Sequence, residues 1–162
     1  MTRALPGPRP REREAARRAP SSAGSGPGAG TRRDVAAFLE RYADALLRGD
    51  LEAIAACHVT PVLFVTEWDS TVLATSRQVV EGFRGVVEEH RRRGYVALSH
   101  RVETVSTAAS RLVEVAVRWT FHDADGRAVL HDRYRYLLRR VDDRGLLINA
   151  VVVLGGSTAA IR

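Results

Sequence analysis

Between residues 95 and 154 the chain holds four strand-like stretches, the second and third with alternating faces, separated by "TAAS", "DADG" and "DDRG". Links this short, made of turn residues, join neighbouring antiparallel strands. The pattern predicts a meander of strands over 95–107, 111–122, 127–140 and 146–154. A sheet of that size has an apolar face that something must cover. The covering elements have to come from the residues before it.

Those residues supply helices. In "DVAAFLERYADALLRGD" Val35, Phe38, Leu39, Tyr42, Ala45 and Leu46 recur at helical spacing, with Asp34 placed as an N-cap and Gly49 as a stop. "DLEAIAAC" reads as a short second helix capped by Asp50. Pro61 opens the strand-like run "PVLFVTEW", and "STVLATS" follows as a second short strand. Thr75 and Gln78 have capping-box spacing ahead of a third helix. Val79, Val80, Phe83, Val86, Val87 and His90 form its apolar side, and Arg91, Arg92, Arg93 and Gly94 mark its end. The expected class is α+β: three N-terminal helices packed on a long, bent, mostly antiparallel meander.

Charge narrows the function classes. The chain carries 25 basic and 19 acidic residues, a formal net charge of +6. Residues 1–33 hold eight Arg and two Glu, so the whole excess lies there and residues 34–162 are balanced. A balanced domain has no surplus cation with which to track phosphates, so no nucleic-acid partner is expected for it. Residues 1–32, rich in Arg, Pro, Gly and Ala, read as a disordered tail, 33–155 as one domain, and 156–162 as a C-terminal tail. No apolar run approaches the ~20 residues of a membrane span. No secretory signal is visible, and a cytoplasmic location is expected. Cys57 is the one cysteine, so it cannot form an internal disulfide, and no metal site or cofactor is expected.

Within the meander, Val113, Val115, Val117, Trp119 and Phe121 share a face, as do Leu130, Asp132, Tyr134, Tyr136 and Leu138. Two registers are consistent with the "DADG" link. The preferred one sets Val117 opposite Asp132 and Glu114 opposite Arg135; the other sets Trp119 opposite Asp132 but Arg118 against Arg133. Either way Asp132 lies on the face of Trp119. The adjacent His131 points to the opposite face, so the two form no dyad.

Three segments carry a resemblance: "FLERYADALLRGDLEAIAAC", "PVLFVTEW" with the capped helix after it, and "YRYLLRRVDDRGLLI". They are similar to the nuclear-transport-factor-2-like superfamily, which includes ketosteroid isomerase, scytalone dehydratase and SnoaL-like cyclases, and to its uncharacterised bacterial members. The resemblance implies a strongly curved, mostly antiparallel sheet in a cystatin-like cone, an apolar pocket enclosed by helices and sheet, and a homodimer. Where such proteins often carry His or Asp in the last strand, this chain has "INAVVVL", with Asn149 its only polar side chain.

The candidate catalytic residues are therefore Asp132, a carboxylate in an apolar stripe, with His100 and Tyr134 assisting. Desolvation would raise such a carboxyl toward the working range of a general acid or base. The candidate ligand contacts are Tyr42 and Phe83 from the helices, Val117, Trp119, Tyr136 and Asn149 from the strands, and Trp68 as a lid. His58, opening a loop, and His90, a cation closing a helix, are expected to be structural. The leading expectation is a pocket for a small apolar or aromatic ligand, without catalysis. The alternative is a cofactor-independent isomerase, cyclase or dehydratase. A third is an interaction module using Arg118, Arg133 and Arg135 on the outer face toward an acidic partner.

Overall fold

The computed structural model describes residues 28–155. Helices α1 (Ala29–Arg48), α2 (Leu51–Ala56) and α3 (Ser76–Arg92) alternate with and precede strands β1 (His58–Val65), β2 (Ser70–Leu73), β3 (Ala97–Ala109), β4 (Leu112–His122), β5 (Ala128–Val141) and β6 (Gly145–Val153). The strands form one open sheet in the order β2-β1-β6-β5-β4-β3. Only β1 and β6 run parallel; every other pair is antiparallel. The expected α+β layout is thus observed.

Local chemistry explains most element ends. Asp50 accepts the Ala53 amide at 3.0 Å and caps α2. Thr75 and Gln78 complete a capping box on α3. Gly49 and Gly94, at φ 62 and 68, turn the chain out of α1 and α3. Asp34 does not cap α1, which begins at Ala29 after Gly28. Its carboxylate instead meets Arg140 at 2.7 Å, tying the helix to β5. Residues 29–32, expected in the tail, are thus helical, and residues 1–27 of that tail, with residues 156–162, lie outside the described residues.

The core forms where the helices cover one face of the sheet. Phe38, Leu39 and Tyr42 of α1 and Val79, Phe83 and Val87 of α3 pack against Val115, Val117 and Trp119 of β4, Tyr136 and Leu138 of β5, and Ile148 and Val151 of β6. Arg41 donates to the Leu146 carbonyl at 3.0 Å and Arg144 to that of Ala56 at 3.0 Å, fastening helices to the β5–β6 hairpin.

The β4–β5 register differs from the preferred expectation. Trp119 pairs with Asp132, Val117 with Tyr134 and Arg118 with Arg133. Two bulges explain it. One, at Val129, shifts the pairing just beyond the "DADG" turn. The other, at Glu103 of β3, lies between the Val102–Val117 and Thr104–Ala116 pairs. The Glu103 carboxylate takes Arg118 at 3.2 Å and Arg133 at 2.8 Å, so it neutralises the like-charge pair that argued against this register. Glu114 and Arg135 still meet, diagonally, at 3.3 Å.

Candidate functional site

A cavity of about 880 Å³ opens between the helices and the covered face of the sheet. Its floor is Trp119 of β4 with Asp132, Tyr134 and Tyr136 of β5, and α1 and α3 contribute Tyr42 and Phe83 to its walls. Trp68, Glu67 and Asp69 of the β1–β2 turn stand at its mouth, facing Glu89 and Arg93 at the end of α3.

The β-strand period puts the floor residues together. Trp119, Asp132 and Tyr134 are inward positions of adjacent strands, and Tyr136 follows Tyr134 by one full period. Asp132 is only 3% exposed. The Tyr134 hydroxyl donates toward its Oδ2 at 3.4 Å, a long contact. Tyr134 and Tyr136 stack at 5.8 Å, and Trp119 Nε1 donates to the Tyr136 hydroxyl at 2.8 Å. Tyr42 packs edge-on against Trp119 and Tyr136, each at 6.3 Å. Burial raises the Tyr42 phenol well above its ordinary range, and the neighbouring Cys57 and Tyr134 add to this. Tyr136 is raised likewise by burial, then by Tyr42 and Tyr134, with the Trp119 hydrogen bond opposing and Asp132 adding. Both phenols therefore stay protonated, neutral hydroxyls near pH 7.

Of the residues expected at the site, Asp132, Tyr134, Tyr42, Trp68, Phe83, Trp119 and Tyr136 line the cavity. Trp68 is 86% exposed and rides on a turn held by Thr66 Oγ1, which accepts the amides of Trp68 and Asp69 at 3.2 and 3.0 Å. Three expected residues do not line it. His100 pairs with Trp119, which pairs with Asp132, so two strand spacings of ~5 Å each separate His100 from the carboxylate. Its ring lies edge-on to Trp119 at 5.3 Å, on the far side of the indole. Val117 is fully buried beneath the floor, between Val102 and Tyr134. Asn149 is the extra residue of a bulge in β6, between the Leu137–Ala150 and Leu138–Ile148 pairs. Its Oδ1 accepts Arg139 Nε at 2.6 Å, on the outer face.

Two histidines differ from expectation. His58 is the first residue of β1, not of a loop, and is 3% exposed. Its Nδ1 lies 2.8 Å from the Ile54 carbonyl, and Tyr42, Phe64 and Phe83 surround the ring. Burial lowers its pKa to about 4, against the opposing effect of the Ile54 contact, so the ring is neutral near pH 7. His90 lines the cavity, stacked on Phe121 at 4.9 Å and Tyr95 at 5.6 Å. Burial and then Arg93 lower its pKa, the reverse of a helix-end cation, with Glu89 opposing. Its place seven residues after Phe83, on the same helix side, was the available signal. Phe64, Tyr95 and Phe121 also line the cavity and were not singled out; Phe121 shares the strand face of Trp119.

Among the described residues no group of His, Cys, Asp and Glu is arranged to hold a metal ion. No described helix is long and apolar enough to cross a membrane.

Solved structures share this architecture. Aln2 from a Streptomyces species is 22% identical, with a TM-score of 0.62 over 80% of this chain and 93% of that one. A Catenulispora acidiphila protein in complex with S-DNPA is 20% identical, with a TM-score of 0.56 over 78% and 95%. A Nostoc punctiforme domain of unknown function with a cystatin-like fold is 18% identical, with a TM-score of 0.59 over 78% of each chain. At these identities the likeness is one of fold. No curated protein matches the sequence. The family model described as NTF2-like protein (DUF6841) matches residues 33–155, and the chain belongs to that family.

Proposed function

We propose that this protein binds a small, largely apolar organic molecule in the cavity between helices and sheet. The cavity itself carries the reading. Its volume of about 880 Å³ falls among known ligand sites, and aromatic walls surround a few convergent polar groups. The Catenulispora acidiphila protein was solved in complex with S-DNPA, which supports the same use of the fold. The test is binding of a panel of bi- and tricyclic aromatic compounds, followed by the fluorescence of Trp119 and Trp68. Saturable quenching in the micromolar range is expected, and a Val151→Trp variant that fills the cavity should abolish it while remaining folded. A panel without a single saturable binder would overturn the proposal.

Acid–base catalysis at Asp132 is the second reading, favoured by one observation: a carboxyl 3% exposed on the cavity floor beside the Tyr134 hydroxyl. His100 lies two strands from that carboxyl, its ring against Trp119. Turnover of an enolisable ketone, measured as deuterium exchange at its α-carbon and lost in Asp132→Asn, is the check. The interaction-module reading is weakened by the ion pairs of the outer face: Arg118 and Arg133 are engaged by Glu103, and Arg135 by Glu114.

The chain is further proposed to pair with a second copy through that outer face. Val72, Leu63, Ala150 and Leu137 form an apolar row across four strands there. A cytoplasmic setting fits the reduced, buried thiol of Cys57.

A further inference from the structure

We propose that the His90 ring accepts a hydrogen bond from a hydroxyl group of an uncharged aromatic ligand, at the Phe121 end of the cavity. The proposal rests on the ligand-cavity reading and adds to it a chemical class and a place within the cavity.

Among the described residues His90 is the one histidine that lines the cavity. It comes from the last turn of α3, half-buried, with its ring against Phe121 at 4.9 Å and Tyr95 at 5.6 Å. Phe121 and Tyr95 also meet each other, at 5.0 Å, so the three rings brace one another. The imidazole is thus positioned by packing, on a helix and over a strand.

Its polar atoms are left unused by that packing. Among the described residues neither ring nitrogen of His90 has a hydrogen-bond partner. His58 is the contrast, since its Nδ1 lies 2.8 Å from the Ile54 carbonyl and its tautomer is thereby committed. Burial and then Arg93 lower the His90 pKa, with Glu89 opposing, so the ring is uncharged near pH 7. An uncharged imidazole has one N–H and one lone pair, and with no protein partner to fix the tautomer the ligand sets which nitrogen holds the proton. That lone pair is a strong neutral acceptor, and a phenolic hydroxyl is the matching neutral donor on a flat aromatic body.

The strand pairing gives the place. Beneath the ring lies the apolar row Leu98, Phe121 and Leu130 across β3, β4 and β5. The next inward row, which holds Trp119 and Asp132, is one strand period away, about 7 Å. A hydroxyl at His90 is therefore a separate contact from any made at Asp132.

The lining decides the charge. Four carboxyl residues, Glu67, Asp69, Glu89 and Asp132, and one guanidinium, Arg93, border the cavity. Arg93 is already paired with Glu89, whose pKa the hydrogen bonds from Arg92 and then Arg93 hold at about 2. An anionic ligand would meet more acid than base, whereas a neutral phenol meets no such opposition.

The test compares 2-naphthol, its methyl ether 2-methoxynaphthalene, naphthalene and 2-naphthoate by titration calorimetry. The ether is more apolar than the phenol, so burial alone would favour it. The phenol should nonetheless bind about five-fold tighter than the ether, the gain expected from one hydrogen bond. His90→Phe should remove that preference and leave naphthalene affinity unchanged, which also shows that the variant is folded. His90→Gln, which keeps an acceptor, should restore part of it. Nitrogen NMR of histidine-labelled protein needs no variant: 2-naphthol should shift a His90 ring nitrogen and the ether should not. Equal affinities for phenol and ether with an unmoved His90 signal would overturn the contact and leave the cavity reading standing. A preference that survives intact in His90→Phe would do the same, placing the hydroxyl elsewhere. Tighter binding of 2-naphthoate than of 2-naphthol would overturn the uncharged assignment. Binding of none of the four would overturn both readings.

Discussion

His58 shows how one side chain can make the fold sensitive to acid. Its imidazole sits among Tyr42, Phe64 and Phe83, and burial lowers its pKa to about 4 from an ordinary value of 6.5. Between those values the unfolded chain binds a proton that the folded one does not, so stability falls as pH drops through that window. The stabilisation is complete above pH 6.5 and lost on approach to pH 4. A gap of that size corresponds to about 3 kcal/mol from this residue. Urea unfolding at pH 7 and pH 4.5 should show a smaller acid loss in His58→Phe than in the unmodified protein. Equal losses would mean that the ring titrates normally. From the text alone His58 looked like a loop residue, because Pro61 marked the apparent start of β1 and the preceding strand residues carried no alternation to extend it.

At the scale of elements, bulges decide more than propensities do. Glu103 is the extra residue in β3, and the hydrogen bond from Arg133, followed by Arg118, holds its carboxyl below the usual range. Glu103→Gln should lower the thermal midpoint at low salt, because Arg118 and Arg133 are then directly opposed. The deficit should shrink in about 0.5 M salt, where screening weakens their repulsion. A salt-independent deficit would show that the carboxylate acts through packing instead. Two glycines separate backbone strain from crowding in the same way. Gly49 and Gly94 both have positive φ, but a Cβ at Gly49 would lie 2.6 Å from Val87 Cγ1, whereas at Gly94 it would meet open space. Gly94→Ala should cost about 1 kcal/mol from the dihedral alone. Gly49→Ala should cost roughly 3 kcal/mol, because the junction of α1, α2 and α3 must also move. Equal costs in denaturant titrations would show that α3 yields without strain.

For the whole molecule the open question of assembly has a direct test. The row Val72, Leu63, Ala150 and Leu137 crosses the outer face of the sheet, and Val72 and Leu63 are exposed. Sedimentation velocity should give a dimer for the described fold, and Leu63→Arg should shift it to monomer without lowering the thermal midpoint of the monomeric unit. A monomer in both cases would remove the pairing proposal and leave the cavity unaffected.

Much of this architecture is legible in the chain. Helix periodicity in α1 and α3, the Thr75–Gln78 capping box and the alternation of β4 and β5 are local patterns, and local steric and hydrogen-bonding rules translate them directly into elements. The face shared by Trp119, Asp132, Tyr134 and Tyr136 follows from the same alternation, so the floor of the cavity was readable. What escaped was anything that depends on an inserted residue or a distant partner. The bulges at Glu103, Val129 and Asn149 each add one residue without a composition signal, and they moved the register and turned Asn149 to Arg139 on the outer face. The lowered pKa of His58 and His90 follows first from burial against other elements, and the placing of His100 beside Trp119 from a strand pairing. Periodicity is a property of neighbours along the chain, whereas register, burial and charge state are properties of neighbours across it.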